Sequence, residues 1–301
     1  MHIPWNDVAL FLAVAETASF SAAARRLGLG QPTISRRIAQ LEELLERALF
    51  FRGADGAQLT AAGERLLPVA RRMAECAGEL ERLATDDDPR PQGIVRIAAP
   101  PGIAFDFLAP FAAHLAKRSS GLRLEVLASV THLDLLRNEA DLAMRTKKPT
   151  LHELACLAEV RIPARAFASK DYVKRLRPKY GPADVDWITW APPYHNLPPR
   201  PQLEKLIEGF EPSFTSDSFL VQRAAAEAGL GAMFAGIVDH RFVRRTRLVP
   251  LDLDFGVVSS TYLVCAQTML RVPRVRAVID LLLEEIGRTE GIELTVHLEP
   301  T

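Results

Sequence analysis

Pro32, Thr33, Arg36 and Gln40 share one face of a helix that the sequence begins at Gln31, with Ser35 and Arg37 on its flanks. Each of these residue types has a use against the edge of a base pair. A glutamine amide pairs with adenine, and an arginine guanidinium with O6 and N7 of guanine. Pro32, Thr33 and Ser35 are small enough to enter a major groove or touch a thymine methyl. Arg25, Arg26, Arg36 and Arg37 lie in a stretch, Thr17 to Leu41, without an acidic residue. A local positive patch of this kind is what meets phosphate, so the chemistry on offer is DNA reading. An ordinary solvated helical hairpin with arginines outside has the same periodicity.

The elements that position this face are local. Phe20, Ala23, Ala24 and Leu27 recur with the period of one helix face. Ser19 or Ser21 can cap that helix by accepting from its orphan N–H groups. Gly28 and Gly30 break it and permit a tight turn. Pro32 suits the first turn of the next helix, where a missing N–H costs nothing. Ile34, Ile38 and Leu41 form the buried side. Two short helices across a glycine turn, the second with a polar and basic outer face, read as a helix-turn-helix. Trp5 to Ala18 is expected to brace it as a first helix starting at Pro4 or Asn6, with Val8, Phe11, Leu12 and Ala15 inward. Leu49-Phe50-Phe51 and Gln58-Leu59-Thr60 flank a glycine-containing turn and read as a hairpin, with Arg52 at its base as a phosphate contact. Thr60 to about Thr85 is a long helix. Leu66, Ala70, Met73, Ala77, Leu80 and Ala84 alternate in steps of four and three, the seam of a coiled coil. A helix packed on its own domain predicts a wider stripe. The seam is favoured because nothing else in the first ninety residues is expected to cover this helix.

The runs Phe20-Ser-Ala-Ala-Ala-Arg-Arg-Leu27, Gln31-Pro-Thr-Ile-Ser-Arg36, Leu41-Glu-Glu-Leu44, Leu49-Phe-Phe-Arg52 and Leu59-Thr-Ala-Ala-Gly63 resemble the DNA-binding domain of LysR-type transcriptional regulators. The likeness runs without a gap over about the first sixty residues. It implies a winged helix-turn-helix at 1–60, with the motif at about 20–40, and a dimerisation linker helix at 61–88. The candidate DNA contacts are Ser21, Gln31, Pro32, Thr33, Ser35, Arg36, Arg37 and Arg52. Gly30 departs from the family, which usually has a capping serine there. The wing, Gly53-Ala-Asp-Gly-Ala57, lacks the basic residue often found in it. The family pairs subunits through the linker helix, so the expected protein is a homodimer or homotetramer. Two reading heads imply an interrupted, roughly palindromic double-stranded operator.

Composition narrows the alternatives. At 301 residues the chain suits two or three domains, and 48% hydrophobic with 25% charged residues is the balance of a soluble globular protein. Lys+Arg and Asp+Glu are equal at 37 each, so net charge argues for no partner and the basic signal is local. No apolar run is long enough to span a membrane. The opening residues carry no charged leader before an apolar core, and the expected location is cytoplasmic. Cys76, Cys156 and Cys265 are widely spaced and odd in number, which argues against a disulfide framework. Cys156 and Cys265 read as buried, inert thiols in strand-like segments, and Cys76 on the long helix reads either as a plain surface thiol or as one that cross-links subunits on oxidation. The seven histidines show no HxxxH spacing and there is no CxxC, so no metal site is expected. GxSxG, P-loop and GxGxxG patterns are absent as well, so neither a cofactor nor an enzyme is expected. A transport-type binding protein, the other non-enzymatic class, requires a signal peptide and no reading head.

Asp86-Asp-Asp-Pro-Arg-Pro-Gln-Gly93 reads as a linker. Beyond it Ile94 to Ala98, Leu122 to Leu127 and Asp141 to Met144 are strand-like, while Phe105 to Leu115 and His132 to Arg137 are helix-like. A second series places strands at Ala164 to Ser169, Trp187 to Trp190, up to Phe214, Gly231 to Phe234 and Ser260 to Ala266. Helices fall at Asp171 to Arg175, Phe219 to Ala228 and Pro273 to Ile286. Such alternation predicts a parallel sheet with helices on both faces. Gly93-Ile-Val-Arg-Ile97, Glu139-Ala-Asp-Leu-Ala-Met-Arg145, Phe214-Thr-Ser-Asp217, Ala228-Gly-Leu-Gly231 and Val275-Arg-Ala-Val-Ile-Asp280 are similar to the effector domain of the same family. That implies an α/β, periplasmic-binding-protein-like domain at 92–301, with one lobe at about 92–162 plus 268–301 and a second at about 163–267.

Ligands of open α/β sheets bind beyond the carboxyl ends of the strands. Pro101 and Gly102 follow the first such end and open a helix whose N–H groups favour an anion. Ser129 and Thr131 follow the second and supply hydroxyls. Arg145 ends the third, and its guanidinium either grips an effector carboxylate or forms a structural ion pair with a carboxylate of the other lobe. His195, Asp217, Ser218 and Phe219 fall at second-lobe loops expected to face the same cleft. The effector they suggest is a small organic anion. A regulator independent of ligand, its cleft filled by its own side chains, is the alternative. Pro192 to Pro199 reads either as a stiff loop at the cleft mouth or as a plain surface crossing.

Overall fold

The computed structural model describes residues 3–53, 56–85, 91–236, 238–242 and 246–298, with the side chains of 52, 79 and 81–85 also outside the description. The chain forms two units, Met1–Arg90 and Pro91–Thr301. The wing tip at Ala54 and Asp55, and the linker residues Asp86 to Arg90, lie outside the described residues.

The first unit carries α1 (Trp5–Thr17), α2 (Phe20–Leu27), α3 (Gln31–Leu44), β1 (Phe50–Gly53), β2 (Gly56–Leu59) and α4 (Ala61–Thr85). Pro4 caps α1, and Ser19, rather than Ser21, caps α2, its Oγ accepting from the Ala22 N–H at 3.3 Å. Gly28 ends α2 in the left-handed region at φ 66°, where a Cβ is disfavoured. Phe11, Ile34, Ile38 and Leu41, all 2% exposed or less, meet at the centre of the three helices. The hairpin pairs Phe50 with Leu59 and Arg52 with Ala57. Its β2 strand is tied back to the α1–α2 turn by the Ala57 N–H donating to the Ala18 carbonyl at 2.9 Å.

The long helix departs from the expectation that nothing in the first ninety residues covers it. Ala70 is completely buried, and Ala62, Leu66 and Leu67 pack on the same core as Phe11. The seam positions further along behave otherwise: Met73 is 37% exposed and Leu80 70%. The first turns of α4 therefore belong to the head's own core, and a free apolar edge begins near Met73. Ala84 of the seam lies outside the described side chains.

The second unit begins with β3 (Gly93–Ala99) and a continuous helical run: α5 (Pro101–Ile103), a wider π turn at Ala104–Leu108 and α6 (Ala109–Arg118). Then come β4 (Leu122–Ala128), β5 (Leu142–Arg145), β6 (Leu154–Ser169), α7 (Lys170–Arg175), β7 (Ile188–Trp190) and α8 (Arg200–Leu206). β8 (Phe214–Ser216), α9 (Phe219–Glu227), β9 (Met233–Gly236), β10 (Leu248–Pro250), β11 (Val258–Ala266), α10 (Pro273–Gly287) and β12 (Glu293–Val296) complete it. β6 and β11 run side by side, and β6 is long enough to serve two lobes. Its first part pairs with β11 and β12, and its last six residues pair with β9 and β10. The first lobe buries Ile97, Leu108, Phe111, Leu142 and Leu282, and the second is built around Trp187.

Three expectations are corrected. The main sheet is mixed, not parallel: β3 runs parallel to β4 and β5, whereas β11 is antiparallel to β5 and β6. Phe214 opens its strand instead of ending it. His132 to Arg137 is not a helix. The Asp134 carboxylate accepts from the Leu136 and Arg137 N–H groups at 3.0 and 3.3 Å, and Asn138 turns left-handed at φ 53°. A short polar side chain that takes up nearby amides offers the backbone a turn in place of a helical ladder.

Candidate nucleic-acid interface and effector cleft

The outer face of α3 keeps the residues the sequence placed there. Gln31, Pro32, Arg36 and Gln40 are exposed, Thr33 and Ser35 half-buried, and Ser21 is exposed on α2. Gly30 caps α3 without a side-chain bond. The arginines differ in a way their spacing did not reveal. Arg37 pairs with Asp7 of α1 at 2.6 Å, and Arg26 with Glu16 of α1 at 2.7 Å. Carboxylates from outside the acid-free stretch thus take up half of its cationic patch. Arg25 and Arg36 make no ion pair among the described residues, and Arg36 stands alone on the outer face of α3. The Arg52 side chain lies outside the described residues; its backbone sits in β1.

One positioning group escaped the sequence reading. Glu42, near the end of α3, accepts from the backbone N–H groups of Leu49 and Phe50 at 2.7 and 3.1 Å. This carboxylate fastens the wing to the reading helix. The Leu41-Glu-Glu-Leu44 motif contains it, but a carboxylate between two leucines reads as a solvated position until the hairpin is folded against it.

In the second unit, Ser129, Thr131 and Arg145 come together. They line a cavity of about 20 Å³ with Pro100, His132 and Leu133, at the carboxyl ends of β3, β4 and β5. The Ser129 and Thr131 hydroxyl oxygens lie 3.0 Å apart. Arg145 Nη2 donates to the Leu133 carbonyl at 2.6 Å, and its Nε is buried without a partner. Burial lowers the Arg145 pKa, with Asp134 acting in the opposite direction. No carboxylate of the other lobe pairs with Arg145 among the described residues. His132, which the sequence reading passed over, is held below the ordinary imidazole value by burial first, then by Arg145 and Lys147.

The other expected cleft residues are not in this cavity. A Cβ on Gly102 would lie 2.9 Å from the Phe219 ring, so Phe219 of α9 sits directly against the start of α5. Beside that contact Arg223 grips both oxygens of Asp106 at 2.7 and 2.9 Å. Gly102 therefore faces a side chain of the opposite lobe, and Pro101 precedes it at the start of α5. Ser218 caps α9 and Asp217 is exposed. His195 is half-buried, its Nδ1 without a partner. Pro192 to Pro199 makes turns leading into α8.

Among the described residues no group of three or more His, Cys, Asp or Glu side chains is placed to hold a metal ion. No described helix is long and apolar enough to cross a membrane. Burial raises the thiols of Cys156 and Cys265, Cys265 to about 12, which disfavours the reactive thiolate. Cys76 is exposed on α4.

Residues 5–64 match the family described as "Bacterial regulatory helix-turn-helix protein, lysR family", and residues 89–287 match the "LysR substrate binding domain". An HTH-type transcriptional regulator of Xanthomonas campestris pv. campestris is 29% identical over 182 residues, 60% of this chain and 53% of that protein. The chain thus spans about half the length of that relative. PtxR of Pseudomonas aeruginosa, an HTH-type transcriptional regulator, is 27% identical over 95% of this chain and 94% of its own. The crystal structure of full-length CbnR complexed with the target DNA superimposes with a TM-score of 0.57 at 19% identity, covering 95% of this chain and 99% of that one, a likeness of fold. The relatives carry the names of regulators and not of enzymes. A DNA-reading head with its wing and an α/β domain with strand ends converging on Arg145, both matched to one family, identify the chain as a LysR-type DNA-binding transcriptional regulator.

Proposed function

We propose that this regulator answers to a small organic anion held by Arg145. The observation that carries this reading is Arg145: it lines a cavity with two hydroxyls, and its Nε is buried without a partner. A buried donor without an acceptor is costly, and a carboxylate is the natural acceptor for a guanidinium. A volume of about 20 Å³ holds about one water and is lined from the first lobe alone, so an organic acid enters only if the cavity widens. The proposed coupling step is a movement of the lobes that goes with this widening: an effector that prefers one lobe arrangement shifts the population toward it. Thermal unfolding against a library of organic acids tests this. A ligand at a hundred times its dissociation constant adds about 2.7 kcal/mol to stability. Arg145→Ala is expected to weaken the hit by at least about tenfold, the lower end for a lost hydrogen bond to a charged group. A normal response in that variant makes Arg145 structural.

A second reading has its own observation. Phe219 against Gly102 and the Asp106–Arg223 pair fill the place where an effector head group was expected. A regulator closed in this way acts without ligand, and absence of any hit across varied anions favours it.

On the DNA side, Ser21, the outer face of α3 and Arg52 form the proposed contacts, with Arg36 as the base reader. The CbnR structure with its target DNA supports a head of this fold on duplex DNA. A DNA partner is also the reason for proposing a cytoplasmic location. The free edge of α4 from Met73 to Leu80 supports pairing of two chains as a homodimer, the unit of any homotetramer, and hence an interrupted palindrome as operator. Leu80→Glu places a charge on that seam. It is expected to shift sedimentation toward the monomer while leaving each unit folded, and an unchanged assembly places the interface elsewhere.

A further inference from the structure

Glu285 of α10 is completely buried, yet it has no part in the cavity or the head. Arg241 grips both of its oxygens, Nη2 at 2.7 Å and Nε at 3.1 Å, and Arg288 adds a third donor. His114 of α6 and His240 approach it at 3.5 and 3.4 Å. Burial alone would raise this carboxyl; the two arginines and His114 overcome it and hold it below the ordinary range. Such a site is an anchor built for a charge.

What it anchors is unusual in the topology. Residues 238–242 belong to the connection between β9 and β10, and both of those strands pair with the second-lobe end of β6. The segment nevertheless packs on the first lobe. The Asp239 carbonyl accepts from the Glu290 N–H at 3.0 Å, beyond the end of α10. The His240 ring stands 5.5 Å from Phe107, and Phe242 stacks among Phe107, Phe111 and His114 at 5.2 to 6.4 Å. The second lobe thus reaches over and grips the first, in addition to the continuous strand β6 and the return of the chain into β11.

We propose that residues 238–242 are a strap that sets the angle between the lobes, with Glu285 as the positioning residue acting through Arg241. A rotation of the second lobe that takes the strap with it carries the strap across α6 and α10 or pulls Arg241 off Glu285. Packed contacts of this kind have discrete arrangements and do not deform continuously. The strap is therefore a stop that an effector must overcome. It rests on the reading that the lobes move when effector binds.

Arg241 is half exposed, so its removal opens no core. The full chain, with Cys76→Ser and Cys156→Ser, takes spin labels at Lys117→Cys on α6 and Lys174→Cys on α7, diluted with unlabelled chain. Without any ligand, Arg241→Ala is expected to shift or broaden the distance between lobes by more than about 2 Å, the scale of a domain rearrangement. The Glu290 amide is expected to exchange at least about tenfold faster, as a charge-assisted contact is lost. Arg241→Lys, which keeps the charge but not the two-pronged grip, is expected to restore part of both. An unchanged distance with fast exchange shows that the strap sets nothing, and unchanged exchange shows that Arg241 does not hold it; either overturns the proposal. No ligand is present, so these outcomes leave the anion reading standing. That reading falls separately, if no anion shifts the wild-type distance.

Discussion

Phe11→Ala is expected to destabilise the reading head by about 3–5 kcal/mol, the usual cost of deleting a buried aromatic ring. Phe11 is completely buried, and its ring lies 5.4 Å from that of Phe50 in the wing. The truncation therefore opens a cavity where α1, the helix-turn-helix and the hairpin meet. A small domain has about 5–15 kcal/mol in total, so the loss is a large share. Because residues 91–301 form their own unit, their unfolding is expected to stay where it is. Amide exchange resolved by residue in the full chain checks both halves of the statement. Exchange should quicken throughout α1 to β2 and remain slow in β3, β6 and β11. Equal loss of protection in both halves means that the two units unfold as one. DNA affinity should fall with the folded fraction of the head, and low temperature should recover part of it.

What could be read in advance, and what could not, divides along a physical line. Local rules located the head. Ser19 caps α2 within three residues of itself, Gly28 ends it in the left-handed region, and Ile34, Ile38 and Leu41 bury at helical spacing. The strand-end rule likewise brought Ser129, Thr131 and Arg145 to one cavity. What was not legible is a partner that comes from far along the chain. Asp7 neutralises Arg37 across two helices, Phe219 covers Gly102 from the opposite lobe, and Glu285 collects partners from positions 114, 240 and 241. No periodicity encodes such meetings. The turn at Asp134 differs, its cause being local: the helical pattern of His132 to Arg137 is too short to outweigh one carboxylate that takes the amides itself.

The same division sets which arginine is expected to read DNA. Arg36→Ala is expected to lower affinity for a specific operator by about 1–3 kcal/mol, the worth of one bidentate base contact, and to relax preference at a single position. Its guanidinium is exposed and free of ion pairs among the described residues, so it reaches a base edge without breaking anything. Arg37→Ala serves as the contrast. That side chain is committed to Asp7, and its loss is expected to loosen α1 on α3 with little change in base preference. Titrations on operator and on unrelated duplex, at several salt concentrations, separate the roles. A base reader loses discrimination between the two duplexes. A phosphate contact weakens both alike and reduces the salt slope by about one. If Arg36→Ala behaves in the second way, the reading residue must lie among Gln31, Thr33 and Gln40. If Arg37→Ala loses discrimination, the Asp7 pair opens on the DNA and is a latch of the free protein alone.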